Sequence, residues 1–328
     1  MAFSITDWIP RLNTRTLKNK QYQTLRLAAV DVGSNAIRIL IVDTTTKGSF
    51  VEVFSKRFSL RLGSEAFSGH GFSPATFTNF LGVFEKIRSY LDYYEVDFHR
   101  TVATSAMRNA KNAPRAISEI AKKFSIKINI ISGEKEAETI LEAVKNLPKL
   151  TKDLTIMDLG GGSLEILHAR NQKMKAFATL PLGAVRSLDY YQDCPEKLEE
   201  RITSVIEKNA KLLSNFAQDT NQTKLLLGTG GNIRSLNKLA NRIINGKINK
   251  KTMTRDQLCI VLDRLSELNL KQRQRELELP PDRADVILPA AHVFYEFMFY
   301  FGFKSIYVPK VSLKHGIIAK LIEDKALL

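Results

Sequence analysis

Residues 154–167, LTIMDLGGGSLEIL, constrain the fold of this chain more than any other stretch. An apolar run ends at Asp158, three glycines follow, and Ser163 leads into a second apolar run. Both runs have strand length, so the segment reads as strand, tight turn, strand. Gly160, Gly161 and Gly162 free the backbone to adopt positive φ and let a ligand approach the amides. Such a nest of N–H donors suits an oxyanion such as phosphate. Asp158 and Glu165 flank it as acceptors, which is compatible with phosphate if a hard cation such as Mg²⁺ lies between them. A plain hairpin with a glycine bulge and two solvated acids fits the same residues. A second copy of the pattern begins at residue 25: LRLAAVDVGSNAIRILIVD places Asp31, one apolar residue and then Gly33, Ser34 and Asn35 between two apolar runs. Two Asp-x-Gly hairpins far apart in one chain point to two similarly built lobes.

With 328 residues the chain is long enough for two domains with real cores. No apolar stretch reaches membrane-spanning length, and polar residues occupy the place of a signal peptide's apolar core, so a cytoplasmic protein is expected. Cys194 and Cys259 are too few for a disulfide framework and are expected to be buried thiols. A net charge of +15 makes a polyanionic partner plausible: nucleic acid, an anionic membrane surface or polyphosphate. Residues 1–24, with Arg11, Arg15, Lys18 and Lys20 against Asp7, read as a basic extension in which Trp8 and Ile9 offer docking side chains.

Between the hairpins, strands alternate with helices, which argues for an α/β fold. Residues 50–62 alternate as a strand. Residues 74–94 carry Phe77, Phe80, Leu81, Phe84, Ile87 and Leu91 on one helical face. A strand at 101–104 runs into Ser105 and Arg108, Asn112 and Pro114 open a helix, and 126–131 is a further strand. In ISGEKEAETILEAVKNL the stripe Ala137, Ile140, Leu141, Val144 predicts a buried helix face. Acids crowd its first turns, where the helix dipole favours them, and periodicity does not separate Glu134 from Glu136. Beyond the second hairpin a strand at 175–180 leads through PLGAVR, and 196–216 reads as one long amphipathic helix. A strand at 224–227 enters Gly228-Thr229-Gly230-Gly231, a glycine turn that opens a helix and so forms an anion site. It has neither the Lys-Ser/Thr of a P-loop nor a ribose-binding acid downstream. Last come PPDRADVIL ahead of an apolar helix, a strand at 305–308 and a closing helix. Arg242, Lys247, Lys250, Lys251 and Arg255, then Lys271, Arg273 and Arg275, are solvated faces or a track for a polyanion.

DVGSN and DLGGGS resemble the two phosphate loops of the actin-like superfamily of ATPases and sugar kinases. ATSAMRNAKN, ISGEKEAE, PLGAVR, GTGG and RADVI follow in an order that resembles the exopolyphosphatase/guanosine pentaphosphate phosphohydrolase (Ppx/GppA) family. The resemblance implies an α/β protein of two actin-like (ribonuclease H-like) lobes, with mixed sheets flanked by helices and an active-site cleft between them. Residues 25–131 plus 304–328 would form lobe I and 132–303 lobe II. It implies Glu136 as the base that activates water, Arg108 as a phosphate contact, Asp31 as an assisting acid, and Asp158 and Glu165 as Mg²⁺ ligands. Gly33, Ser34, Asn35, Gly160, Gly161, Gly162, Ser163, Gly230 and Gly231 would cradle phosphate. The implied substrates are inorganic polyphosphate and guanosine pentaphosphate, with a homodimer compatible and neither membrane nor nucleic acid as main partner. Asn232 and the pair Lys314-His315 depart from the family pattern and are expected to lie away from the chemistry. The helical His-Asp-type domain of longer members is not matched, so a short polymer track and distributive hydrolysis are expected. Two rivals remain: an actin-like ATPase or sugar kinase, which wants a sugar pocket and a catalytic Asp, and a non-enzymatic polyanion-binding protein.

Overall fold

The structure is a computed structural model that describes residues 24–44, 49–145, 147, 153–193, 195–216, 225–244, 246 and 250–326. The basic extension with Trp8 and Ile9, and also Cys194 and Lys247, lie outside the described residues.

Each glycine hairpin sits in the middle of its own mixed sheet. β1 (Arg26–Val32) and β2 (Ile37–Thr44) pair antiparallel and are followed by β3 (Phe50–Phe58), β4 (Phe98–Ala103) and β5 (Ile128–Ile130), in the order β3-β2-β1-β4-β5. β6 (Asp153–Leu159), β7 (Leu164–Arg170), β8 (Lys173–Leu180), β9 (Leu225–Thr229), β10 (Thr252–Thr254) and β11 (Ser305–Tyr307) form the second sheet, in the order β10-β11-β9-β6-β7-β8. The two hairpins are built alike: β1 has β2 antiparallel on one side and β4 parallel on the other, and β6 stands in the same relation to β7 and β9. The register carries the likeness to single residues, since Asp31 lies opposite Arg38 and Asp158 opposite Glu165. Central strands buried on both faces need the continuous apolar runs seen in the sequence.

Helix Pro74–Tyr93 buries Phe80, Phe84, Ile87 and Leu91 against one face of the first sheet. A larger core built on Phe216, Phe294, Phe297 and Phe303 fills the second lobe. A third cluster joins the sheets. Leu27, Ala29, Leu40 and Val42 of the first meet helices Gly133–Lys145 and Leu313–Ala326, which in turn pack on Leu154, Ile156 and Leu167 of the second. The expected stripe Ala137, Ile140, Leu141, Val144 is the buried face of helix Gly133–Lys145. This packing holds the N-terminal turn of that helix so that Glu136 lines the cleft.

Several expectations give way. The helix expected over 196–216 is Pro195–Lys208, then Ala210–Leu213 and a 3-10 turn Ser214–Phe216. At the break the Asn209 carboxamide donates to the Val205 carbonyl (2.8 Å), a local bond that competes with helix propagation. The strand Ser305–Tyr307, placed with the first lobe from residue 304, pairs with β9 and β10 in the second sheet. The basic stretch around 250 is not a bare solvated face. It contains β10 and opens helix Arg255–Ser266 through a Thr254/Gln257 capping box. Arg273 is buried and donates to the carbonyls of Leu265 and Ala284, which removes it from any surface track. Cys259 is half-buried rather than buried. Among the described residues no helix is long and apolar enough to cross a membrane.

Candidate active site

The glycine turns face each other across the cleft. Residues 184–186 cover the carbonyl side of the second turn: the amides of Ala184 and Val185 donate to Gly160 O (3.0 Å) and Gly161 O (2.8 Å), and Arg186 Nε donates to Gly162 O (2.9 Å). None of Gly160, Gly161 and Gly162 adopts a positive φ, so that part of the expected reason for glycine there does not hold. Close approach by other parts of the chain requires glycine at 161 and 162. A Cβ on Gly162 would enter the Phe67 ring and Ser105 Oγ, and one on Gly183 would fall within the Gly162 backbone. Gly230 does need glycine, at φ +92, where it caps helix Gly231–Ile243.

Three expected phosphate contacts have side chains that are already engaged. Ser34 Oγ and Ser105 Oγ share a hydrogen bond (2.8 Å), and Ser163 Oγ donates to Glu165 Oε1 (2.6 Å). The Asn35 carboxamide accepts from Arg61 Nε (2.9 Å) and donates to Asp282 O (3.0 Å). What Ser34 and Asn35 present to the cleft is therefore chiefly backbone.

Four carboxyls gather at the cleft. Asp31 ends β1, Asp158 ends β6, Glu165 lies across the strand pair from Asp158, and Glu136 stands in the first turn of its helix. All four are buried, with Glu165 only 2% exposed, whereas Glu134 is exposed. Arg108 threads between them. Its Nη1 donates to Ile131 O (2.7 Å) and to Glu136 Oε2 (3.2 Å), and Nη2 lies 3.9 Å from Glu165 Oε1. Asp158 Oδ1 accepts from Thr229 Oγ1 (2.6 Å), and Glu165 Oε1 also accepts from Thr179 Oγ1 (3.1 Å). Burial raises all four carboxyls, and neighbouring acids add to this at Glu136, Asp158 and Glu165, whereas Arg38 and Lys314 oppose it at Asp31; Glu165 is pushed up to about 7 and Glu136 goes well above its ordinary range despite Arg108.

Glu136, Asp158 and Glu165 each offer one oxygen within 4.8 Å of the others. Glu165 Oε2 is buried with no hydrogen-bond partner. An all-oxygen donor set with an orphaned carboxylate oxygen, under mutual repulsion, fits a hard divalent cation. Asp31 stands apart from the trio and pairs with Arg38 Nη1 at 3.4 Å.

The same cleft carries arginines that are not among the expected site residues. Arg38, Arg234 and Arg283 all line the cleft. Arg234 Nε is tied to Gly230 O (3.0 Å), and Arg283 donates to Asn232 Oδ1. Burial and the adjacent Arg38 and Arg57 bring Arg283 down to about 9. Lys314 is buried, donates to Ser55 Oγ (2.6 Å) and is lowered by burial; Arg234 and Arg38 contribute. Asn232 and Lys314 thus belong to the surroundings of the cleft and not to a remote region. Two signals were legible: Arg38 is the residue paired opposite Asp31 in a hairpin, and Arg234 follows the turn glycine Gly230 by one helical turn.

A family model described as the Ppx/GppA phosphatase family matches residues 41–325. The chain is 23% identical over 308 residues to exopolyphosphatase 1 of Mycobacterium tuberculosis, covering 92% of this chain and 90% of that protein. It is 24% identical over 301 residues to a guanosine-5'-triphosphate,3'-diphosphate pyrophosphatase of Aeromonas hydrophila, covering 90% and 59%. It is 25% identical over 313 residues to a bifunctional 3-dehydroquinate synthase/phosphatase of Fusobacterium nucleatum, covering 91% of this chain and 47% of that one, about half its length. The fold matches the crystal structure of an exopolyphosphatase from Cytophaga hutchinsonii with a TM-score of 0.82 at 20% identity, over 91% of this chain and 98% of that one. It matches a Ppx/GppA family member of Aquifex aeolicus with a TM-score of 0.76 at 22% identity, over 92% and 99%.

Proposed function

Because the chain belongs to the Ppx/GppA phosphatase family, we propose that it is a phosphohydrolase releasing terminal phosphate from inorganic polyphosphate, from guanosine pentaphosphate, or from both. The observation that carries this reading is the make-up of the cleft. The buried carboxylates Asp31, Glu136 and Asp158 line it together with Arg38, Arg234, Arg283 and both glycine turns, and Arg108 is bonded to Glu136. A phosphoric anhydride chain needs that combination: cationic donors for its charge, and a carboxylate centre that handles water at its terminus.

Phosphoryl transfer depends on positioning and charge neutralisation more than on covalent chemistry. Amides of the two glycine turns other than Gly33 N and Gly160 N, which donate to Ala36 O and Ser163 O within the turns, orient the terminal phosphoryl oxygens, and Arg108 compensates their charge. Glu136, held by Arg108, accepts the proton of the attacking water at a carboxylate oxygen. The bridging oxygen leaves on the remaining chain, whose charge is met by Arg38, Arg234 and Arg283. Asp158 and Glu165, with Glu136 adjoining, would hold a divalent cation, Mg²⁺ in our reading. Bound there, it would neutralise phosphoryl charge as a Lewis acid.

The test is phosphate release from polyphosphate, guanosine pentaphosphate and ATP in the presence of Mg²⁺. The first two, or one of them, are expected to exceed ATP, with Arg234→Met raising KM more than it lowers kcat. Release from neither above the level of a Glu136→Gln variant overturns the reading.

A further inference from the structure

The motif RADVI, residues 283–287, and the end of β3 meet across the cleft, away from the acidic centre. Asp282 lies in the first turn of the short helix Pro281–Ala284 in the second lobe, and Asp285 is its C-cap. Arg57 ends β3, and Arg61 lies in the loop before helix Gly63–Ala66 in the first lobe. Arg57 pairs with Asp282. Arg61 does more: Nη1 and Nη2 clasp the Asp285 carboxylate at 2.5 and 2.8 Å, Nη2 also reaches Asp282 O (3.1 Å), and Nε donates to Asn35 Oδ1 (2.9 Å). Asn35 closes the circuit by donating to Asp282 O (3.0 Å). One guanidinium therefore ties together the first glycine turn, a helix backbone and a carboxylate of the opposite lobe. The side chains are about one-fifth exposed, so the pairs are only partly screened.

We propose that Arg61 is a positioning residue that registers the two halves of the cleft. Through Asn35 it sets the amides of the first glycine turn, and through Asp285 it sets the helix that carries Arg283, while touching no substrate itself. The inference rests on the phosphohydrolase reading. A planar fork with donors on both edges is required to span three partners, which a lysine ammonium cannot do in one geometry. Asp285 Oδ1 also accepts from the amide of Val286 (2.8 Å), which orients the carboxylate toward the fork.

The experiment measures KM and kcat for Arg61→Met, Arg61→Lys, Asp285→Asn and the double variant Arg61→Met/Asp285→Asn, with melting temperatures as a check on folding. Loss of registration is expected to raise KM about tenfold or more while kcat stays within roughly threefold, because the acidic centre is left intact. Arg61→Lys is expected to fail to rescue, and the double variant to be no worse than the more affected single variant, since both break one joint. Lobe separation is read independently by spin labels at Lys56→Cys and Lys271→Cys in a background with Cys194 and Cys259 replaced by serine. The distance distribution is expected to broaden in each variant. An unchanged KM in a folded Arg61→Met protein overturns the proposal, as do multiplicative effects in the double variant or a fall in kcat at constant KM. Should Arg61→Met not fold, Arg61→Lys and Asp285→Asn carry the same expectations. A wild type without phosphatase activity would sink the phosphohydrolase reading alone. The label distances then decide whether Arg61 joins the lobes, and an unchanged distribution overturns that too.

Discussion

Glu136 and Glu134 differ by two positions in one helical turn, and the helix dipole welcomes both. Burial and Arg108 single out Glu136, the only one of the two facing the other cleft carboxylates. Glu136→Gln keeps the shape but removes the base, and is expected to lower kcat by a factor of about 10² or more. Glu134→Gln should remain near wild type; phosphate release at saturating polyphosphate compares them, and equal losses would refute the assignment. The orphaned oxygen of Glu165 carries a second expectation. A cation that relieves the buried acids stabilises the folded state by mass action, so Mg²⁺ should raise the melting temperature in a dose-dependent way. Glu165→Gln or Asp158→Asn should shift that dose curve and the Mg²⁺ needed for half-maximal rate to higher concentration. Full activity in excess chelator would assign the carboxylates another task.

At the scale of elements, the pair Gly133–Lys145 and Leu313–Ala326 matters most, because it fills the space between the sheets and fixes where Glu136 stands. The helices touch at Gly316, where a Cβ would overlap the Thr139 carbonyl oxygen. Gly316→Ala should force them apart and cost about 1–3 kcal/mol or more, read by chemical denaturation. The start of the Leu313–Ala326 helix also carries a titrating group. His315 Nδ1 accepts from the Ser312 amide (3.1 Å), and burial, with Lys314 and Arg234 adding, pushes its imidazole down to about 4. An unfolded histidine titrates near 6.5, so below that pH the unfolded chain takes up a proton that the folded one refuses. The stabilisation from neutral His315 is present above about pH 6.5 and declines as pH falls toward about 4. His315→Asn, which keeps an acceptor for Ser312, should flatten the melting-temperature profile across that window; an unaltered profile would place the acid sensitivity elsewhere.

For the molecule as a whole, the arginines of the cleft lie in a protein of net charge +15. Neutralising phosphates releases counterions, so KM for polyphosphate should climb steeply with salt while kcat changes little. Replacing Arg234 with Met should lower the slope of log KM against log salt by about one unit, the share of one phosphate contact. The surface stretch from 242 to 275 should matter less than its charge suggests. Arg273 is internal, Arg242 pairs with Glu278 and Arg255 lies over the Phe299 ring.

The chain by itself determined what is local and periodic. Alternation and glycine placement specify two strand–turn–strand units, the stripe Ala137 to Val144 specifies a buried helix face, and Asp158 and Glu165 follow as acids beside a glycine nest. Such features rest on backbone geometry within a few residues, which sequence records directly. Tertiary structure decided the rest. It buried Glu136 rather than Glu134, because only the packing of that helix between two sheets distinguishes neighbouring turns. It made the glycines at 161 and 162 necessary through the approach of Ser34, Phe67, Ser105 and Val185, contacts from other parts of the chain. It assembled Arg38, Arg234 and Arg283, which lie scattered over some 245 residues, into one wall. Long-range proximity leaves no local period in a single sequence, and a charged residue reads as a solvated face until the fold encloses it.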